Sequence, residues 1–255
     1  MWLIIGAGGV GRALAQRLHG LAQPVGLVGR PYQNLAEAFP TWTNWHEAPL
    51  NQARAIILAV RDQQIPSLAA ALKGHLPAYV PVAHTAGSVP LAVLQEFFAD
   101  QAGVVYPLQS FTPAFPISWG TFPIFWEGHP IFEELALVLA GHPQWVQHAS
   151  SEERLRLHIG AVFAANFLNA LLEMAGRLSA PKWDHRVFLP LATQVLQKLY
   201  TLTPLESQTG PARRGDTSTL LRHQTYLQQH LPDLAPLYEA LTAYIQKHLV
   251  QSSRQ

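Results

Sequence analysis

The sequence predicts an α/β protein in two parts: a doubly wound, mostly parallel sheet domain over residues 1–149 and an all-α domain over residues 150–255. Three observations carry this. The N-terminal run "WLIIGA" leads straight into a glycine-spaced turn and a helical pattern. Short apolar runs then alternate with helical stretches, which places parallel strands between covering helices. From Ser150 onward the pattern is helical almost throughout.

Each element follows from its own residues. "WLIIGA" is a strand, "VGRALAQRLHG" a helix and "PVGLVG" a second strand. "ARAIILAV", "YVPVAHTA" and "AGVVYPL" are short apolar runs ended by turn residues, and "FPIFWEG" and "QWVQHAS" are strands near the sheet edge. In "SSEE" Ser150 caps a helix with Glu153 three residues on, a capping box. The helix it opens runs over about 152–178 and is apolar nearly all round, which predicts burial on most sides. Further helices are expected over about 186–202, 217–230 and 233–249, with Asp216 and Asp233 at two starts. No internal repeat or low-complexity segment interrupts this order.

Composition narrows the function. Of 255 residues, 49% are hydrophobic and 13% charged, with a formal net charge of +1. That is globular, and it offers no basic field for nucleic acid. Cysteine is absent, which excludes disulfides, thiolate catalysis and thiolate metal sites. The twelve histidines show no paired-ligand spacing, so no metal site is expected. The start lacks a basic region before its apolar run, unlike a secretory signal. His158, Asn166, Asn169, Glu173 and Arg177 interrupt the most apolar long stretch and argue against a membrane span. The expectation is a cytoplasmic protein with no nucleic-acid or membrane partner.

"GAGGVG" fits the spacing G-x-G-x-x-G with Gly6, Gly8 and Gly11. It follows a strand and opens a helix, the context in which the pattern has a mechanism. Gly6 permits the tight turn, Gly8 a close backbone approach to a pyrophosphate, and Gly11 close packing of helix on strand. Gly9 and Val10 supply the first helical turn, whose N–H groups face the phosphates. This is the dinucleotide-binding unit of a Rossmann fold; a glycine turn without ligand is the alternative. Arg30 stands where the second strand ends, and no Asp or Glu occurs between Gly11 and Glu37. A carboxylate there would bind ribose hydroxyls and repel an added phosphate. An arginine attracts that phosphate, so the predicted cofactor is NADP rather than NAD.

The ends of the next strands should line the crevice. They supply Ala59, Val60 and Arg61, then His84, Thr85, Ala86, Gly87 and Ser88, then Tyr106 to Ser110. Turn chemistry explains each cluster singly; their convergence on one sheet edge favours a site. On the long helix the five polar residues fall within roughly a 100° stripe. That suggests a cleft or wet interface, unless they pair internally, as Glu173 with Arg177 at i, i+4. "TGPARRGDTSTLLRH" places Arg213 and Arg214 at a Gly-Pro turn, able to meet an anion, with Asp216 better read as a cap.

The elements "GAGGVG", "AHTAG", "YPLQSF", "LHIGAVFAANFLNALL" and "TGPARRGD" followed by "RH" run in order along nearly the whole chain. Together they resemble the Rossmann-like proteins that carry domain of unknown function 2520. Those proteins are often labelled candidate NADP oxidoreductases and are similar to pyrroline-5-carboxylate reductase and deazaflavin-dependent NADP reductase. The resemblance implies an N-terminal NADP-binding domain, a C-terminal helical domain and dimerisation; it names no substrate. Two departures stand out. The family often has His before "PLQ", where this chain has Tyr106. Related hydroxyacid dehydrogenases have a lysine four residues before an asparagine on this helix, whereas here Val162 precedes Asn166.

The expected function is NADPH-dependent reduction of a small carbonyl or imine, with a homodimer formed through the C-terminal helices. The cofactor-binding candidates are Gly6, Gly8, Gly9, Val10, Gly11, Arg30, Ala59, Val60 and Thr85. The catalytic candidates are His84, Tyr106 and Asn166, with Arg214 as an anion clamp. Two other functions stay open: a non-catalytic NADP-binding or redox-sensing protein, and hydride exchange with a flavin-like carrier stacked on the Trp- and Phe-rich segment 111–126.

Overall fold

The computed structural model describes residues 1–30, 38–112 and 115–249. It forms two compact units, Met1–Ala165 and Asn166–Gln255.

The first unit is built on an eight-stranded sheet. Its strands are β1 (Trp2–Ile5), β2 (Val25–Val28), β3 (Thr41–Trp42), β4 (Ala55–Leu58), β5 (Val82–His84), β6 (Ala102–Pro107), β7 (Ile124–Gly128) and β8 (Val146–His148). They lie in the order β3-β2-β1-β4-β5-β6-β7-β8. Neighbours are parallel except β6 and β7, which are antiparallel. This is the doubly wound α/β sheet expected, with "QWVQHAS" at one edge. The other edge, β3, is two residues long and has no periodicity to read.

The strands are apolar on both sides because both faces are covered. Trp2 and Ile4 point to one face, where Leu14 and Leu18 of α1 (Gly9–Gly20) meet Phe132, Leu135 and Leu139 of α4 (Ile131–Ala140). Leu3 and Ile5 point to the other, onto Ile65, Ala69 and Leu72 of α2 (Ile65–Lys73) and Leu94 of α3 (Ala92–Phe98). Each such side chain, fully buried, contributes about 1.5–3 kcal/mol.

The long helix spans Ser151–Ser179, and Ser150 caps it with the expected capping box. A π-helical segment, Val162–Phe167, lies within it. The expected boundary at 149/150 marks the start of this helix, while the compact units divide inside it. Its first turns go with the sheet for two reasons. Leu157 packs on the core of the α2 and α3 face. Arg154 is 1% exposed and bound to Glu127 of β7 at 3.3 Å.

Burial of the long helix on most sides is not met within one chain. Leu155, Ile159, Leu171 and Leu178 are all exposed. By length and composition alone the helix could cross a membrane.

The second unit is helical, as expected, with helices Leu189–Lys198, Thr217–His230 and Ala235–His248 after the long one. Leu227, Leu234 and Ala235 form a small core, joined by Met174 and Tyr238. The helix expected over 186–202 is shorter. A 3-10 turn, His185–Phe188, precedes it, and Pro190 sits in the first α turn, where its missing N–H costs nothing. Asp216 caps its helix by accepting from the Thr219 N–H at 3.1 Å. Asp233 does not open one: it binds Arg177 at 2.8 Å, and the helix begins at Ala235. Arg177 is thus paired with Asp233, not with Glu173.

Candidate functional site

The site starts at the turn after β1. Gly6 has φ +122°, and a Cβ there would sit 2.2 Å from the Ala59 carbonyl oxygen. A Cβ on Gly11 would sit 1.8 Å from the Gly6 oxygen. Only glycine fits either place. The Gly6 N–H donates to the Val28 oxygen and the Ala59 N–H to the Ile5 oxygen, both at 2.8 Å. The turn is therefore seated between the ends of β2 and β4, where the strand order reverses and such sheets take ligands.

Gly8 is the N-cap of α1, with no side-chain cap and no acidic residue in the first turn. Nothing lies within 4 Å of the place its Cβ would take. Among the described residues the helix-start N–H groups of Gly9 and Val10 have no acceptor, the arrangement that binds an anion. On one side the Phe111 carbonyl comes within 2.7 Å of the Gly9 Cβ position. On the other, Gly29 lies against Ala7 of the turn, with a Cβ position 2.6 Å from the Ala7 Cβ. Arg30 follows directly and is exposed. Ala59 and Val60 leave β4 half-buried, and the Thr85 N–H donates to the Leu58 oxygen at 3.2 Å. All nine cofactor candidates thus gather at the carboxyl ends of β1, β2, β4 and β5.

The catalytic candidates fare differently. His84 is fully buried, and its Nδ1 accepts from the Ala86 N–H at 3.2 Å. Burial first, and the charge of Arg154 second, lower its pKa to about 3, with the Pro90 backbone opposing. A neutral ring with no exposed surface holds the turn after β5; it is not placed to deliver a proton to a substrate. That corrects the role expected for His84.

Tyr106, at the end of β6, is 8% exposed, and its hydroxyl lies 3.0 Å from Nδ1 of His158. Burial raises its pKa; the charge of Arg154 opposes this and that of Asp62 adds to it. Asp62 accepts from the Ser88 hydroxyl at 2.5 Å. Arg154 also donates to the Val89 oxygen at 2.6 Å, while its Nε has no partner among the described residues.

Asn166 and Arg214 belong to the second unit. Both are exposed, Asn166 in the π-helical segment and Arg214 at the end of the short helix Pro211–Arg214. Arg213 is structural, donating to the Leu205 oxygen at 2.8 Å. Asn169, Glu173 and Arg177 of the polar stripe line an open cleft of about 700 Å³ with Trp183, Asp184 and His185. In the segment 111–126, Phe111 meets Trp119, and Trp119 meets the buried Phe122 at a ring separation of 5.4 Å. Trp119 and Phe122 pack on the core of the sheet face covered by α1 and α4, while Phe115 is exposed.

Sequence reasoning placed His158 on the polar stripe of the long helix without a role of its own, and did not nominate Arg154, Glu127 or Asp62. Gly87 in "AHTAGS" meets His158: its Cβ would sit 2.6 Å from Nδ1 of His158, so a side chain must be absent there. Nothing in the spacing of Gly87 and His158 along the chain reveals that approach.

Residues 126–245 match the family profile of domain of unknown function 2520, which bears out the resemblance read in the sequence. The chain is similar to a candidate NADP oxidoreductase of Bacteroides fragilis, with a TM-score of 0.86 and 28% identity over 97% of this chain and 98% of that one. It is also similar to a reductive aminase of Aspergillus terreus solved with NADPH and ethyl levulinate, with a TM-score of 0.69 and 14% identity over 97% and 94%. Against a pyrroline carboxylate reductase of Plasmodium falciparum with NADP bound, the TM-score is 0.56 and the identity 10%, over 96% and 97%. At those two identities the likeness is one of fold. No curated protein matches this chain.

Proposed function

We propose that this chain, a Rossmann-fold protein whose residues 126–245 match domain of unknown function 2520, is an NADPH-dependent oxidoreductase that reduces a small carbonyl or imine. One observation carries the reading: the glycine turn leaves an uncapped helix start open to an anion, with Arg30 exposed beside it. The likeness to the Bacteroides fragilis protein, itself a candidate NADP oxidoreductase, supports it.

The residues present fit NADP. The Gly9 and Val10 N–H groups would hold the pyrophosphate, and Arg30 would pair with the phosphate that distinguishes NADP from NAD. Ala59, Val60 and Thr85 would line the path toward the nicotinamide. When bound, the cofactor supplies a hydride; the chain must orient the acceptor, exclude water and provide a proton. Asn166 and Arg214 are proposed as substrate contacts, Asn166 by hydrogen bond and Arg214 as an anion clamp. The working form is proposed to be a homodimer.

Titration calorimetry with NADPH and NADH, followed by NADPH oxidation over a panel of imines, 2-keto acids and flavin analogues, tests this. Tighter binding of NADPH and turnover of an imine or keto acid are expected. Tight NADPH binding with no acceptor reduced would instead favour a non-catalytic NADP-binding protein.

A further inference from the structure

We infer that His158 is the proton donor of this site and that Tyr106 positions it; the inference rests on the reductase reading above. Of the candidates near the strand ends, His84 has no exposed surface and Tyr106 has 8%. His158 is half-buried. Its Nδ1 faces the Tyr106 hydroxyl at 3.0 Å, and the rings meet edge to face at 5.9 Å and 71°. The ring is clamped from behind by Gly87, which leaves room for it only because it has no Cβ. Among the described residues, Nε2 makes no hydrogen bond.

With the ring neutral the phenol can donate to Nδ1 or accept from Nδ1–H, and with the ring protonated it accepts. Burial keeps the phenol protonated. In the neutral pair as proposed, the phenol donates to Nδ1, so the ring's own proton sits on Nε2. When the ring is protonated, Nδ1–H donates to the phenol oxygen instead, and Nε2–H is left for the acceptor. In the reduction, hydride bonds to the carbonyl or imine carbon, the C=O or C=N π pair moves to the heteroatom, and the imidazolium Nε2–H bond breaks to protonate that atom. The acceptor is reduced, NADPH is oxidised, and the neutral ring regains a proton from water. The charged and titratable neighbours are Arg154 on the same helix, paired with Glu127 of β7; Asp62 after β4, paired with Ser88; and the neutral His84 of β5.

The test combines ¹⁵N NMR of the imidazole with kinetics on the acceptor the wild type reduces. In the wild type the neutral His158 ring should be the Nε2–H tautomer. Tyr106→Phe should mix the two tautomers and displace the alkaline limb of the kcat profile. His158→Gln should lower kcat about a hundredfold and abolish that limb with NADPH affinity unchanged. An Nδ1–H tautomer in the wild type overturns the inference without any variant, even if His158→Gln fails to fold. Unchanged kcat and pH profile in a folded His158→Gln overturn it while leaving the reductase reading intact. Tight NADPH binding with no acceptor reduced overturns both.

Discussion

At the scale of single residues, Arg30 and His84 make separable predictions. Arg30 is exposed and adjoins the glycine turn through Gly29, so its substitution should disturb recognition rather than folding. Arg30→Ala should weaken NADPH by about 1–3 kcal/mol and NADH hardly at all, since only the added phosphate loses a charge-assisted contact. Equal affinities of the unmutated protein for the two nucleotides, measured by calorimetry, would show that Arg30 does not select. His84 concerns stability. Its native pKa is lowered to about 3 from 6.5. Between those values the unfolded chain binds a proton that the native chain refuses. Its contribution is therefore complete above pH 6.5 and is lost as pH falls toward 3, at roughly 1.4 kcal/mol per pH unit. His84→Asn keeps an acceptor for the Ala86 N–H and cannot titrate. Urea denaturation at pH 7, 6, 5 and 4 should give a flatter stability curve for the variant than for the wild type. Parallel curves would mean that His84 binds its proton equally in the native and unfolded states.

At the scale of elements, the start of the long helix is anchored by a single carboxylate. Glu127 of β7 accepts from the Ser151 N–H at 2.9 Å and hydroxyl at 2.8 Å, and from Arg154 at 3.3 Å. A fixed helix start in turn fixes where His158 meets Tyr106, two turns later. Removing the carboxylate leaves a buried guanidinium without its counter-ion. Glu127→Ala should cost about 3–5 kcal/mol, and replacing both Glu127 and Arg154 by apolar residues of similar size should recover most of it. Chemical denaturation decides the matter: a loss below about 1 kcal/mol for the single variant would mean that the Val89 carbonyl and solvent satisfy Arg154 without Glu127.

At the scale of the whole molecule, one chain leaves too much apolar surface in water. Ile159 is 50% exposed, Leu191 62% and Leu221 65%, while the core of the second unit is small. Exposed apolar side chains in such number are covered in most soluble proteins, and a twofold contact between identical helices covers them. Light scattering at micromolar concentration should give about twice the 28.2 kDa chain mass. Ile159→Glu with Leu191→Glu should shift the protein toward monomer. A monomeric wild type would leave the long helix to another partner.

The sequence by itself determined the parts of this protein that local periodicity and single-residue geometry control. "WLIIGAGGVGRALAQRLHG" had to be strand, tight turn and helix, because the apolar spacing changes period across glycines that no other residue replaces. Arg30 could be located because its distance from those glycines is set by one helix and one strand. Ser150 and Asp216 were legible as caps because a cap bonds within three residues. The tertiary structure alone decided what depends on residues distant in the chain. Whether His84 or His158 faces solvent turns on how β5 and the long helix pack, and an isolated histidine looks the same in either place. Arg177 chose Asp233 over Glu173 because the later segment returns beside the helix, at 2.8 Å, which i, i+4 spacing could not foresee. The Tyr106–His158 pair joins residues from a strand and a helix, and only the sheet order and the gap left at Gly87 bring them to 3.0 Å.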